Sequence, residues 1–579
     1  MLFAPQAPRP LRPDAASDLP AYRSWLTGRE AARRAAPPAP AGGGPPAGPE
    51  VTVLLGVGGL PGSGPDPDAL RRTLRSLAAQ TTDRWHLSVS VLGQVGAATE
   101  TVLDGELAAL PAGRATLHTS PAGTAAAVAL AAALEVSDRP ACSFLDPGDV
   151  LAPDALALLA TALVDADLAY GDEDGLDAGG MPVDPLLKPD WSPTLFLSWR
   201  YTGRPVALRV APLVAAGGIR PVTGDWEHDV LLRVTERTTR VAHVAEVLCH
   251  RLATPPRAPT SQAPAEGPDG QGAVTAALER RGIEAGVRPG PLSGTWRLER
   301  RLRGRPSVSA IVPFRDSTTL LRACVDSVTA TTSGVDLELL LVDNGSVGLE
   351  TLTLVEGLAT RPGVTVRRDP RPFNWAALNN AAAAAAGGDV LLFLNDDVEA
   401  RRAGWLEALV AQALRPDVGA AGARLLYPDG TVQHAGVALG LCGVSGHILA
   451  GLPGDRPGYL GMAVLARDVS AVTGACMATR RDVFERLEGF DESLGLDFND
   501  LDYCLRARRR GLGVVYEPAA ELVHHESPSR GTSGNVENAV AFVGRWADAI
   551  GAGDPFLNRN LTRTDFSAAL AGPEEGRWA

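Results

Sequence analysis

Two tandem α/β domains with mainly parallel central sheets are the fold class that this sequence of 579 residues predicts. Three observations lead there. The length, with 45% of residues hydrophobic, exceeds what a single core holds and suffices for two. Short β-rich runs alternate with amphipathic segments, the pattern of a mainly parallel sheet covered by helices on both faces. Two Pro/Gly/Ala-rich stretches interrupt that pattern and divide the chain.

Taken in order, residues 1–50 read as an N-terminal extension containing Tyr22-Arg23-Ser24-Trp25 and a tether, Ala36 to Pro49. The first domain spans Val51 to Leu252. Residues 253–305 form a linker with a short helix over Ala273–Gly282 and an Arg-rich extended piece, Thr295 to Gly304. The second domain runs from Pro306 to Asp565, followed by a tail, 566–579. Within it, strands are expected at SVSAIVPF (307–314), LELLLVDN (337–344) and the apolar part of GDVLLFLNDD (388–397), with a helix around Leu320–Thr329.

Charge and cysteine usage exclude several functions. A net charge of -13 argues against nucleic acid, whose phosphates need a cationic surface. Six cysteines, none in a CxxC pair, indicate neither a zinc site nor a disulfide framework and fit a reducing compartment. Prolines break the N-terminus MLFAPQAPRPLRPD before an apolar run forms, and no stretch approaches the roughly 18 apolar residues of a membrane span, so a cytoplasmic location is expected. Lys188 is the only lysine. A compact ammonium retained where every other cation is Arg marks a position to examine, with a bound phosphate as one expectation.

Ligands of parallel sheets bind at the carboxyl ends of the strands, where three polar clusters of the second domain fall: Pro313-Phe314-Arg315-Asp316, Asp343-Asn344-Gly345-Ser346 and Asn395-Asp396-Asp397. The acid, amide and hydroxyl after LLLV offer acceptors to a nucleotide base or ribose, or simply end a strand in a turn. Adjacent Asp396 and Asp397 repel each other unless a cation neutralises them or water solvates them. Downstream, Asp500 and Asp502 open a helical segment, as caps or as carboxylates able to deprotonate a hydroxyl. His524 and His525 follow a β-rich run, where a neutral imidazole could complete a metal's ligand set.

The second domain resembles glycosyltransferase family 2, with its GT-A fold, over about Pro306 to Asp565. The similar segments are VSAIVPFRD, LLVDNGS, RPFNWAALNNAA, FLNDDVEA, GARLLYPDGTVQHAGVALG, AVTGACMATRRDVFERLEGFDE, FNDLDYCLR, ELVHHESPSRG and DPFLNRNLT. The resemblance implies an inverting, metal-dependent transferase. Asp343 would contact the donor's base, with Pro313, Asn344, Asn374 and Asn379 around the nucleotide. Asn395, Asp396 and Asp397 would form the DxD-type motif for Mn²⁺ or Mg²⁺, with His524 or His525 as a further ligand. Asp500 would be the catalytic base, with Asp502 beside it. The implied donor is a nucleoside-diphosphate-sugar, carrying a hexose such as rhamnose; the acceptor is a glycan or lipid-linked glycan, with peripheral association at the inner membrane face. Two positions depart from the pattern: Asn395 stands where Asp is usual, and Asn499-Asp500 replaces Glu-Asp. The QxxRW motif of processive synthases is absent, which favours a non-processive enzyme.

The first domain resembles the same family through TLRSLAAQTTDRWHLSV, FLDPGDVLAPDAL, YGDEDG, KPDWSP and YTGRPVALR. It has SVLGQVG where the second has VDNGS, so the acid for the base is missing. Its acidic cluster is Asp146-Pro147-Gly148-Asp149, and the base position falls at Glu227 or Asp229. A weakened or retired transferase is the expectation, because an unpaired base contact removes a specificity anchor. A bifunctional enzyme and a non-catalytic carbohydrate-binding scaffold are the alternatives.

Overall fold

The computed structural model describes residues 19–35, 48–58, 65–222, 224–252, 270–526, 536–572 and 575. The expected tethers at 36–47 and 253–269 lie outside them. The chain forms two compact units, one of residues up to Trp296 and one from Arg297 onward together with Ser192–Leu195.

The N-terminal unit is built on a sheet with strands β1 (Val51–Gly58), β2 (Trp85–Leu92), β3 (Ala115–Ser120), β4 (Ala141–Leu145), β5 (Asp149–Leu151), β6 (Leu168–Leu176), β7 (Val206–Arg209) and β8 (Val241–Leu252), and Pro182–Leu186 pairs with β6. Their spatial order is β3-β2-β1-β4-β7-β6-β8-β5. Every residue of β2 and of β4 is buried, as expected of strands covered on both faces.

Two elements expected outside this unit belong to it. Helix α1 (Leu19–Ala35) buries Tyr22 completely, the Tyr22 hydroxyl donates to Asp174, and Arg33 pairs with Asp154 and Glu246. Helix α2 (Trp226–Thr235) carries against it α3 (Gln271–Arg280), the helix expected in the linker, and Arg280 and Arg281 both bind Glu236 just past the end of α2. The expected boundary at Leu252 therefore lies inside the unit.

The main sheet of the C-terminal unit has the strands β9 (Ser307–Phe314), β10 (Asp336–Asp343), β11 (Val364–Arg368), β12 (Val390–Leu394), β13 (Val398–Ala400), β14 (Val418–Leu426), β15 (Cys476–Arg480) and β16 (Gly513–His524), and the short Val432–His434 and Arg467–Asp468 pair with β14 and β16. Their order, β11-β10-β9-β12-β15-β14-β16-β13, repeats that of the N-terminal unit strand for strand. The run β11-β10-β9-β12 and the pair β14-β16 are parallel; β15 and β13 pair antiparallel. Helices α4 (Thr318–Thr331), α5 (Trp375–Ala383), α6 (Asn499–Arg509) and α7 (Val536–Ala552) cover its faces, and the apolar sides of α4 and α5 close two separate cores, one on each side of the sheet. No helix of the described residues is long and apolar enough to cross a membrane.

Lys188 has a structural task. Its side chain is fully buried, and Nζ donates to the carbonyls of Gly171 (2.6 Å), Thr202 (2.7 Å) and Arg204 (3.0 Å), with Glu173 at 3.5 Å. Three acceptors around one point suit the three donors of an ammonium and not a planar guanidinium, which is why this position is not Arg. Burial lowers the lysine's pKa against the pull of Glu173 and Asp172. No donor is left for a phosphate, so that expectation is corrected. Replacement Lys188→Met should cost about 3–5 kcal/mol in urea unfolding, because Glu173 and three carbonyls lose their cation; a change below about 1 kcal/mol would contradict this role.

Candidate functional site

The register of the parallel strands brings the expected residues to one edge. Phe314 at the end of β9 lies opposite Asp343 at the end of β10, which lies opposite Arg368 at the end of β11. Asp343 is buried, and its carboxylate accepts from the Ser346 amide (2.7 Å) and from Arg368 (2.7 Å). Arg368 also donates to the Ser346 carbonyl, so the turn after β10 is fixed by one guanidinium. Asn344 donates its amide to the carbonyls of Asp369 and Arg371, which fixes its orientation and leaves its buried Oδ1 without a hydrogen-bond partner among the described residues. A buried acceptor of this kind is unusual and suits a donor from a bound ligand.

Other residues expected at the nucleotide are engaged elsewhere. Asn374 caps α5, accepting from the Ala377 amide and donating to the Glu492 carbonyl. Asn379 is fully buried one turn later, with its amide on the Trp375 carbonyl of its own helix. Pro313 is buried within β9 opposite Val342 and, having no N–H, offers only its carbonyl. Asn374 thus holds a helix start and Asn379 lies in a helix interior, where its buried Oδ1, like that of Asn344, has no hydrogen-bond partner among the described residues.

Beyond β12 the chain turns through Asn395, Asp396 and Asp397 into β13, whose first residue, Val398, pairs with His524 at the end of β16. Asn395 and Asp397 are buried and Asp396 is half-buried. His524 Nε2 stands 3.0 Å from Asp397 Oδ1 and 3.3 Å from the Asn395 amide nitrogen. On its other side His524 Nδ1 lies 2.6 Å from Gln433 Oε1, and Gln433 directs its Nε2 to Glu526. Since the glutamine's NH₂ is turned to Glu526, Nδ1 of His524 carries a hydrogen, and Nε2 stands between the Asp397 carboxylate and the Asn395 side-chain NH₂. A carboxylate oxygen and an imidazole nitrogen 3.0 Å apart share a proton or a cation, and adjacent ligands of an octahedral ion bound at about 2.1 Å stand about 3 Å apart. The cluster is electronegative: burial first, then Asp396 and Asp397, push the Cys324 thiol well above its usual range.

Among the described residues no group of three or more His, Cys, Asp and Glu side chains is arranged to hold a metal. The pair Asp397–His524 offers a carboxylate and an imidazole, groups of the kinds a divalent ion takes as ligands, while the Asn395 side chain turns its NH₂, a donor, to His524. His525 does not join it. Neighbouring strand residues face opposite sides, and its ring turns to Glu399 at 3.3 Å while its amide binds the Asp397 carbonyl.

Asp500 is half-buried in the first turn of α6, behind Phe498 at φ +66°. Its Oδ2 accepts from the Gly474 amide at 2.7 Å and its Oδ1 from the Leu501 amide at 2.8 Å. The next residue, Ala475, accepts through its carbonyl from the Asn395 amide at 3.1 Å. The dipeptide Gly474-Ala475 therefore joins two acidic clusters separated by a hundred residues of sequence. Only glycine fits at 474, since a Cβ there would lie 2.7 Å from the Trp375 ring. Asn499, at the position where Glu is usual, is buried and donates to the Leu494 carbonyl.

Asp502 is corrected. It is fully buried and held by Arg506 (2.7 Å), Arg545 (2.7 Å) and the Trp546 indole (3.0 Å), fastening α6 to α7 and leaving no route to a substrate. Gln433, Arg368 and Gly474 escaped the site assignment. Gln433 next to a histidine and Gly474 just before a buried strand were visible, but a single glutamine or glycine carries no signal until its partner is located.

In the N-terminal unit the acids of YGDEDG are all engaged: Asp172 with His243, Glu173 with Lys188, and Asp174 with Tyr22 and His250. Asp229 is buried against Arg233 and Arg220. All four are thus held in buried contacts within the unit, Asp229, one of the two expected base positions, by two arginines. Asp146, Asp149 and Glu227 converge on Arg204.

Residues 309–488 match the model described as Glycosyl transferase family 2. The chain is 37% identical over 558 residues to an uncharacterized protein of Sinorhizobium fredii, covering 92% of this chain and 59% of that protein. It is 39% identical over 446 residues to the O-antigen biosynthesis protein RfbC of Myxococcus xanthus, covering 75% of this chain and 35% of that protein. Thus it spans well under two thirds of either relative's length. Among solved structures, a mannosyltransferase of Pyrobaculum calidifontis in complex with GDP-Man and Mn²⁺ aligns at 21% identity with a TM-score of 0.32, over 42% of this chain and 64% of that one.

The two assignments around Asp500 separate by experiment. Asp502→Ala should cost about 2–4 kcal/mol in chemical denaturation, since both arginines lose a buried partner. Gly474→Ala should cost about 1–3 kcal/mol by overpacking against Trp375. An Asp502→Ala protein as stable as the parent would remove its structural role.

Proposed function

We propose that the C-terminal unit, whose residues 309–488 match Glycosyl transferase family 2, transfers a hexosyl group, such as rhamnose, from a nucleoside-diphosphate-sugar to a glycan or lipid-linked glycan hydroxyl, with inversion. The observation that carries the proposal is the Gly474-Ala475 link, which puts a carboxylate fixed by two amides beside an acceptor cluster suited to a cation.

Asp343 and the buried Asn344 Oδ1 face donors of the nucleotide base and ribose. Asp397 and His524 would hold the divalent ion, Mn²⁺ or Mg²⁺, joined by Asn395 if its side-chain carbonyl turned inward, and the ion would offset the charge of the departing diphosphate. Asp500 takes the proton from the acceptor hydroxyl as that oxygen bonds to the anomeric carbon and the bond to the diphosphate oxygen breaks. The amides of Gly474 and Leu501 orient its carboxylate without neutralising it. Gln433 keeps the His524 lone pair turned inward. Similarity to a protein named for O-antigen biosynthesis supports a glycan acceptor.

Asp500→Asn should lower nucleoside diphosphate release from a panel of UDP-, dTDP- and GDP-sugars by about 10²–10⁴-fold, with donor affinity little changed. Asp397→Ala should abolish the Mn²⁺-dependent part of the thermal stabilisation by the nucleoside diphosphate, about 2.7 kcal/mol when the ligand is at a hundred times its Kd. Turnover undiminished in both variants would sink the proposal.

A further inference from the structure

The two units share one strand order, so their site residues can be matched through strand registers alone. Arg209 pairs with Ala141, the first residue of β4, and Arg480 pairs with Val390, the first residue of β12. Five residues before Arg209 is Arg204; five before Arg480 is Ala475. The sequence supports the match, since Thr202-Gly203-Arg204-Pro205-Val206-Ala207-Leu208-Arg209 parallels Thr473-Gly474-Ala475-Cys476-Met477-Ala478-Thr479-Arg480. At the other end of the site, β5 pairs Asp149 with Arg251 where β13 pairs Val398 with His524. Arg251 thus stands at the histidine's place, and Gly148 at that of Asp397. An aspartate could not stand there without disturbance, because Gly148 has φ +105° and a Cβ would lie 2.9 Å from Leu252.

We propose that the guanidinium of Arg204 is a built-in counter-cation of the N-terminal unit, standing where its topology would otherwise seat a divalent ion, and that this unit binds no metal. Arg204 is buried and meets Asp146 (3.1 Å), Asp149 (3.3 Å) and both carboxylate oxygens of Glu227. Arg251 adds a second contact to Asp149 (3.1 Å), and Arg200 one to Glu227 (2.6 Å). By its place in α2, Glu227 corresponds to Asp500, each being the second residue of its helix. Burial pushes the Glu227 pKa up, but Arg204 and Arg200 outweigh it and bring it down to about 2. A carboxylate held there is a poor proton acceptor near neutral pH. Arg204 meets all three carboxylates, and Arg251 and Arg200, which also pair with Glu173 and Asp225, add contacts to Asp149 and Glu227, so fixed cations already offset the charge that would attract a divalent ion, and a tethered cation avoids the entropy of capturing a free one.

The inference uses the cation site proposed for the C-terminal unit only as its comparison, and Mn²⁺ binding to the full chain, read by electron paramagnetic resonance without substrate, separates the two. Wild type should bind one Mn²⁺ per chain and Asp397→Ala none. A site that persists in Asp397→Ala and disappears on adding Asp149→Ala would overturn the inference. In the Asp397→Ala background, Arg204→Ala should open a Mn²⁺ site dependent on Asp146 and Asp149; a folded variant that gains no affinity would overturn the role given to Arg204. Should Arg204→Ala fail to fold, the reciprocal Ala475→Arg in an otherwise wild-type chain should abolish Mn²⁺ binding, and retention of the ion would count against the inference. Wild type binding no Mn²⁺ would contradict the proposed metal dependence of the C-terminal unit while agreeing with a metal-free N-terminal one.

Discussion

The C-terminal site depends on two backbone hydrogen bonds made by neighbouring residues, the Gly474 amide to Asp500 and the Ala475 carbonyl from the Asn395 amide. They exist because β15 runs antiparallel to β12, so that its beginning lies beside the other strand's end. A carboxylate from a helix and an acidic turn from a strand thereby share one wall. Glycine is obligatory at the first of the two positions, since the Trp375 ring occupies the space a side chain would need.

The same wall in the N-terminal unit has a different occupant. Its sheet order, its antiparallel crossing and its Thr-Gly step are preserved, yet the position after the glycine holds Arg204 in place of Ala475. One side chain changes the electrostatics of the cleft: acids that would repel one another gather around a permanent cation. Retaining the fold while exchanging a captured ion for a tethered one keeps the unit assembled without a ligand.

Buried charge is handled throughout by local pairing. Lys188 sits in a cage of carbonyls, Asp502 between two arginines and an indole, and Glu173 against Lys188 and Arg251. Each arrangement offsets the desolvation that an isolated buried ion would suffer.

Strand-length apolar runs ending in polar clusters were enough to read two α/β units and the strand ends that carry Asp343 and Asp397, because burial and strand periodicity are local properties of a sequence. Partner choice is not local. Asp500 and Asp502 differ by half a helical turn, and only packing against Gly474 on one side and Arg545 and Trp546 on the other assigned them different tasks. His524 and His525 divided in the same way, by which face of β16 each follows. The fate of the N-terminal acids was likewise beyond sequence, since Arg204 lies 55 residues from Asp149 and 23 from Glu227 and reaches both only through the folded sheet. Composition and pattern determined the architecture; the tertiary structure decided which charges face one another, because a charge's role is set by its neighbours in space.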